Sequence, residues 1–117
     1  MNLDLTQLRT ISGEDPVFMA EILELVARQS PAALHQMEEL LDQHDYRQLG
    51  AVAHRHKSSV NILGCVPLTN LMKTIELTAT EYEQPEALPG LIDEFRSVNG
   101  WLMDAIRAEL ELLHIGA

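Results

Sequence analysis

The sequence predicts an all-α fold, an antiparallel four-helix bundle with a short extra helix at the N-terminus. Apolar residues recur at helical spacing along four long stretches of the chain, which is the pattern of amphipathic helices. Only 4% of the residues are aromatic, and Val and Ile are too scattered to form alternating strands, so β-structure is not favoured. Short polar turns separate the long stretches, and short connections join antiparallel neighbours in helical bundles.

Length and composition indicate a single helical domain over residues 1–117, because 46% hydrophobic content in a chain of this length suffices for one core. The formal net charge of −10 repels a nucleic-acid backbone, so DNA or RNA binding is not expected. No apolar run is long enough to span a membrane, and direct membrane insertion is not expected. Cys65 is the only cysteine and no charged-then-apolar leader opens the chain, so we expect a reducing, cytoplasmic location.

Local start and stop signals place the first two helices. A short helix is predicted over residues 3–11, ending at Ser12-Gly13. Its inner side is predicted to carry either Leu5, Leu8 and Ile11 or only Leu5 and Leu8. Asp15 can cap free backbone amides and Pro16 is tolerated at a first helical position, so a long helix is predicted from there to about residue 42. Its predicted inner face consists of Phe18, Ile22, Leu25, Val26, Ala33, Met37, Leu40 and Leu41.

Pro31 interrupts the apolar pattern of this second helix. Proline removes one backbone hydrogen bond and clashes with the preceding turn. The sequence therefore predicts either a kink near residues 27–31 or a fresh helix start with Ser30 as its cap.

The third helix is predicted to begin after the cap residue Asp45 and to end near Leu63-Gly64, where glycine can adopt the left-handed conformation. Pro67 then opens a fourth helix that runs to about residue 82. Its predicted inner face consists of Leu68, Leu71, Met72, Ile75 and either Thr78 or Ala79.

The last helix is predicted over residues 87–113, after a turn at Glu83-Gln84-Pro85-Glu86. Its inner face is predicted to consist of Leu88, Leu91, Phe95, Val98, Leu102, Ala105, Leu110 and Leu113. Residues 114–117 are expected to form a loose tail.

Two histidines of the third helix are predicted to face in opposite directions. The apolar stripe of this helix is Leu49, Val52, Ala53, Val60 and Leu63. His54 lies about 140° around the helix from Leu49 and points to solvent, whereas His56, about 200° from His54, points back among apolar residues. We therefore predict that His56 is packed with one polar partner. Lys57 and Ser58 lie one turn beyond His54, so the lysine would face an anion placed on the exposed ring.

This stretch resembles the signature of histidine phosphotransfer (HPt) domains. It reads Ala53-His54-x-x-Lys57-Ser58-Ser59, followed by Gly64, Leu68, Leu71 and Glu76. The family pattern is roughly A-H-x-x-K-G-S/A with a glycine and a leucine at set distances, and the resemblance covers residues 53–76. Two positions depart from it, because Ser58 stands where the family usually has glycine and His56 where it usually has an aliphatic residue. A proline in the long helix is common in such bundles, which favours the kink at Pro31.

The resemblance implies a phosphoryl carrier in a two-component phosphorelay. His54 would accept a phosphoryl group from the aspartyl phosphate of a receiver domain, in a response regulator or a hybrid sensor kinase, and pass it to another receiver's aspartate. Lys57 would offset phosphoryl charge, and Ser58 would be a near neighbour. No cofactor of its own is implied, because Mg²⁺ belongs to the partner receiver. Without a glycine-rich phosphate loop, the chain is not expected to bind ATP or act as a kinase.

The docking face is expected to surround His54, with an exposed apolar residue, Ile62 or Met72, at its centre. Asn61 is expected to be a surface residue, Gly64 a helix stop, and Glu76 a solvated or capping residue.

Two other classes of function stay open. One is an adaptor that binds a receiver or sensor kinase without efficient transfer, for which Ser58 is the motivating departure. The other is a helical metal or redox protein. Di-iron bundles use two Glu-x-x-His motifs, whereas Glu111-x-x-His114 is the only one here, so no metal ligands are predicted. Cys65 has no partner at a recognisable spacing and is expected to be structural.

Overall fold

The computed structural model describes residues 1–81 and 84–116, the last two by their backbone alone. These residues form five α-helices, one 3₁₀ turn and no strand, so the predicted all-α fold is confirmed. The helices are α1 (Thr6–Ser12), α2 (Pro16–Asp42), α3 (Tyr46–Asn61), α4 (Val66–Thr80) and α5 (Leu88–Gly116), with the 3₁₀ turn at Pro85–Ala87. None of the described helices combines the length and apolar character that crossing a membrane requires.

The four long helices form a closed ring around one hydrophobic core. Helix α2 packs against α3 and α5, and α4 packs against the same two helices, so each helix has two neighbours. The core includes Leu23, Val26, Met37, Leu49, Val52, Leu68, Ile75, Phe95 and Leu102. Removing this apolar surface from water is the main stabilising contribution, at roughly 25 cal/mol per Å². At the surface, Arg96 of α5 lies 3.2 Å from the carboxylate of Glu38 in α2.

The predicted starts of α2 and α3 are confirmed, while α3 ends at Asn61, slightly before the predicted Leu63-Gly64. The Asp15 carboxylate accepts a hydrogen bond from the backbone amide of Val17 at 3.0 Å, and Pro16 is the first residue of α2. The Asp45 carboxylate accepts from the amide of Gln48 at 3.2 Å and caps α3. Each cap satisfies an amide that would otherwise have no helical partner.

The turn between α3 and α4 supports the N-terminal segment. Gly64 adopts a left-handed conformation with φ of 64°, as predicted. The Asp4 backbone amide donates to the Leu63 carbonyl at 2.9 Å, and a Cβ added at Gly64 would lie 2.4 Å from the Asp4 carbonyl oxygen. This close approach seats Leu5 and Leu8 in the core, so α1 covers this part of the bundle.

Part of the predicted inner face of α2 is wrong, whereas one of the two alternatives for α1 is confirmed. Helix α1 begins at Thr6, and the buried side of this segment consists of Leu5 and Leu8 without Ile11, which is exposed. In α2, Phe18 and Leu25 are also exposed, whereas Met19 and Leu23 are buried. Helix α3, which follows α2 in the chain, has 16 residues and is about 24 Å long, whereas α2 has 27 residues and is about 40 Å long. It therefore does not reach the first turns of α2, which lack that neighbour.

Pro31 lies inside α2, which continues from Pro16 to Asp42. The alternative of a fresh helix capped by Ser30 is therefore wrong. Ser30 is fully buried, and its hydroxyl contacts His56 in α3 rather than the amides of a new helix.

The C-terminal half differs from the prediction mainly at its boundaries. Helix α4 ends at Thr80 rather than near residue 82, and the predicted turn at 83–86 lies partly outside the described residues. Helix α5 continues through Gly116, so the predicted loose tail is wrong for residues 114–116, while Ala117 lies outside the described residues. Helical hydrogen bonding extends beyond the last inner-face residue of the apolar pattern.

Candidate functional site

His54 projects from the outer face of α3, as its helical position predicts. Its side chain is 58% exposed, while its neighbours Val52 and Ala53 are buried in the core. The buried stripe fixes the helix, so the imidazole stands on a rigid element with one edge open to solvent.

Glu76 of α4 binds the inner edge of the His54 ring. The Nδ1 atom of His54 lies 3.0 Å from Glu76 Oε2 and 3.1 Å from Oε1. A carboxylate can only accept hydrogen bonds, so this contact requires Nδ1 to carry the proton. In the uncharged ring the lone pair is therefore on Nε2, the nitrogen not bound by Glu76. The prediction that Glu76 is merely solvated or a cap is wrong.

Lys57 is not a free cation in this structure. Its Nζ donates a hydrogen bond to Glu76 Oε1 at 3.2 Å, and the Glu76 side chain is only 23% exposed. Partial burial raises the pKa of the Glu76 carboxyl, but the hydrogen bonds from His54 and Lys57, reinforced by the ammonium charge, outweigh it. The pKa of Glu76 consequently lies below its usual value, and one carboxylate bridges the imidazole and the ammonium.

A close approach of α3 to α4 places Glu76 beside His54. Gly50, one turn before His54, is buried against α4, and a Cβ added there would lie 2.4 Å from Thr80 Cγ2 and 3.5 Å from the Glu76 carbonyl oxygen. No larger residue fits without a shift of Thr80. Sequence reasoning missed this role of Gly50, although a glycine inside a helix, where it is unfavourable, is a signal of close packing.

His56 is packed with one polar partner, as predicted. Its side chain is 4% exposed, Nε2 lies 2.9 Å from Ser30 Oγ, and the ring centroid lies 5.6 Å from that of Phe95. Burial lowers the pKa of His56 to about 4. The ring is therefore uncharged near neutral pH and separated from the solvent that His54 faces.

The remaining predicted neighbours of His54 have mixed outcomes. Ser58 is exposed, and its hydroxyl lies 3.5 Å from the His54 carbonyl oxygen, in the direction of the backbone. Asn61 is exposed at the end of α3, as expected. Met72 is fully buried, so the suggestion that it centres a docking face is wrong, whereas Ile62 is half-buried against the core.

His54 opens into a surface cleft of about 610 Å³ between α3 and α4. The cleft is lined by Arg47, Gly50, Ala51, His54, Arg55, Glu76 and Thr80. A larger groove of about 680 Å³ lies between α2 and α5, where Val17 and Leu110 supply apolar lining and Glu111 and His114 lie nearby. Within residues 1–81 and 84–116, no group of three or more His, Cys, Asp or Glu side chains is arranged to hold a metal ion. An exposed imidazole and the carboxylate that binds it line the α3–α4 cleft, and Lys57 is bound to the same carboxylate, so we assign the candidate site there.

The fold and the site together define a class of protein, a helical bundle that presents one oriented imidazole on its surface. The sequence matches the family model of the Hpt domain over residues 21–114, and the chain belongs to that family. Hpt domains are phosphocarrier modules of two-component signalling. Comparison with curated proteins and with solved structures finds no match.

Proposed function

We propose that this protein is a phosphorelay intermediate in which His54 carries the phosphoryl group. The donor is an aspartyl phosphate on a receiver domain, in a response regulator or a hybrid sensor kinase, and the acceptor is the aspartate of another receiver. The partner receiver supplies Mg²⁺, and this chain has no ATP-dependent kinase activity of its own. A cytoplasmic location fits the single, buried cysteine, Cys65.

The observation that carries this proposal is the contact between Glu76 and His54 Nδ1 at 3.0 Å. It fixes the proton on Nδ1 and leaves Nε2 as the nucleophile. An oriented imidazole with an unprotonated nitrogen is what an in-line attack on phosphorus requires.

The chemical step is balanced without an external base. The Nε2 lone pair of His54 attacks the phosphorus, an N–P bond forms, and the bond from phosphorus to the aspartyl oxygen breaks, releasing the partner's carboxylate. The ring becomes positively charged and keeps its Nδ1 proton, which the Glu76 carboxylate continues to accept. In the reverse direction the ring leaves as neutral imidazole, so the same arrangement supports loading and unloading.

Lys57 is proposed to offset the charge of the phosphoryl group. In this structure its ammonium is bound to Glu76, so it must turn part of its flexible side chain from the carboxylate toward the phosphate on Nε2. Glu76 would hold Lys57 close to the reacting nitrogen until the phosphoryl group arrives.

The position of Ser58 does not favour the adaptor reading. Its hydroxyl lies toward the His54 backbone carbonyl rather than the ring, so it does not occupy the approach to Nε2. We expect Ser58→Gly to change the transfer rate less than about threefold, since less than about 0.7 kcal/mol is at stake in a solvent-exposed contact. A steep rise in the rate would instead identify serine as a brake on transfer.

The proposal is tested by transfer of labelled phosphate from a panel of phosphorylated receiver domains. Wild type, His54→Gln and His56→Gln are compared in parallel, with His56 as the matched histidine of the same helix. Acid-labile label is expected on wild type and His56→Gln and not on His54→Gln. Absence of label from all three proteins, while receivers still bind, would contradict the carrier function and leave the adaptor.

A further inference from the structure

Charge is strongly segregated in this chain. Residues 46–80, which comprise α3, α4 and their connection, carry four cationic side chains and a single carboxylate, a local charge of +3. The whole chain carries −10, so the rest of the molecule carries −13. The cations are Arg47, Arg55, Lys57 and Lys73, and the carboxylate is Glu76. Helices α3 and α4, which present His54 and Glu76, are thus basic, whereas the rest of the chain, including Asp45 and Glu81 at their borders, is acidic overall.

Two of these cations flank His54 in its own cleft. Arg47 and Arg55 line the α3–α4 cleft together with His54, and both are exposed. Among the residues that the structure describes, neither arginine lies within ion-pair distance of a carboxylate, whereas Lys57 is held by Glu76. The cations available to a partner at this cleft are therefore the arginines.

We propose that Arg47 and Arg55 are the docking residues of this site and that they recognise an acidic surface on the partner receiver. This inference rests on the proposed function and specifies the partner's surface chemistry. Arginine forms bidentate hydrogen bonds to carboxylates, so two guanidinium groups beside His54 fix orientation as well as attraction. The rest of the chain has a net charge of −13 and therefore does not attract an acidic partner overall. Complementary charge of this kind acts mainly on the association rate.

The test compares wild type with the double variant Arg47→Glu/Arg55→Glu and with Arg9→Glu/Arg28→Glu. The control changes net charge equally but lies on α1 and α2, where both arginines are exposed. Receiver-domain association and phosphoryl transfer are each measured at roughly 0.01 M and roughly 1 M salt, where the Debye length is about 30 Å and about 3 Å. Far-UV circular dichroism checks that every variant keeps the helical fold.

At low salt, the association rate of the Arg47/Arg55 variant is expected to fall at least about tenfold, with the control near wild type. At high salt the three proteins should converge. An equal fall for both double variants, an unchanged rate, or a deficit that persists at high salt would overturn the inference, as would failure of every receiver to bind wild type. Arginine-dependent binding without transfer to His54 would refute the proposed function but leave this docking surface. Transfer to His54 that is unaffected by the Arg47 and Arg55 substitutions would refute this docking surface but leave the proposed function.

Discussion

Replacing His56 by Gln is expected to remove a pH-dependent part of the free energy of unfolding. The imidazole is buried between α2 and α5, beside the Ser30 hydroxyl and the Phe95 ring. Burial lowers its pKa from 6.5 to about 4, so the folded protein holds the ring uncharged where the unfolded chain would bind a proton.

The size of the effect follows from this difference in pKa. Because the folded-state pKa is the lower one, the contribution of the neutral ring to stability is fully present above pH 6.5 and is lost as the pH falls through about 4. At about 1.4 kcal/mol per pH unit, the loss is about 2 kcal/mol by pH 5 and about 3 kcal/mol by pH 4. Other groups titrate in both proteins, so only the difference between wild type and variant reports on His56.

The assay is urea unfolding of wild type, His56→Gln and His35→Gln at a series of pH values, followed by far-UV circular dichroism. His35 is a suitable control because its side chain is 73% exposed and pairs with Glu39 of the next turn on the surface of α2. The control should follow the pH dependence of wild type, while the His56 variant should lose less stability on acidification, by the amounts given above. Parallel curves for wild type and His56→Gln between pH 7 and pH 4 would refute the reasoning.

Two further predictions concern the candidate site and the turn between α3 and α4. Glu76→Gln keeps an oxygen that can accept a hydrogen bond from His54 Nδ1 but removes the negative charge. The attraction between two unit charges about 4 Å apart is about 1 kcal/mol in water and about 4 kcal/mol at an effective dielectric constant of about 20. For this partly exposed contact we expect single-turnover transfer to slow about fivefold to thirtyfold, and an unchanged rate would contradict the role of the carboxylate. Gly64→Ala and Gly13→Ala both place alanine at positive φ, but only at Gly64 would the new Cβ meet the Asp4 backbone. Urea unfolding should show that the free energy of unfolding falls by about 1 kcal/mol for Gly13→Ala and by about 3 kcal/mol or more for Gly64→Ala. Equal losses would refute the claim that the Asp4 backbone leaves no room for a Cβ at Gly64.

The fold was largely predictable because the signals that start and end its helices are local. Asp15 with Pro16, Asp45, and Gly64 act through their own side chains or backbone angles on amides and carbonyls a few residues away. The errors occurred where a distant element decides burial. Phe18 continues the apolar pattern of α2, but it is exposed, whereas the adjacent Met19 is buried, since the positions of the neighbouring helices decide which side of α2 is covered.

The candidate site was likewise predictable only where local spacing decides the outcome. Helical spacing alone separated His54 from His56, and the structure places one in solvent and the other in the core. The sequence contained no measure of how α3 lies against α4, so it could not assign Glu76 to the His54 ring. The close approach at Gly50 settles that register.

By itself, then, the sequence determined the helices, their order and the outward direction of His54, because these follow from periodicity and from contacts within a few residues. Only the tertiary structure decided the partner of each polar side chain. It joined Lys57 to Glu76 and Ser30 to His56 across pairs of helices, at separations of 19 and 26 residues along the chain. Such contacts depend on interhelical distance and rotation, which packing of the whole core fixes and no local pattern encodes.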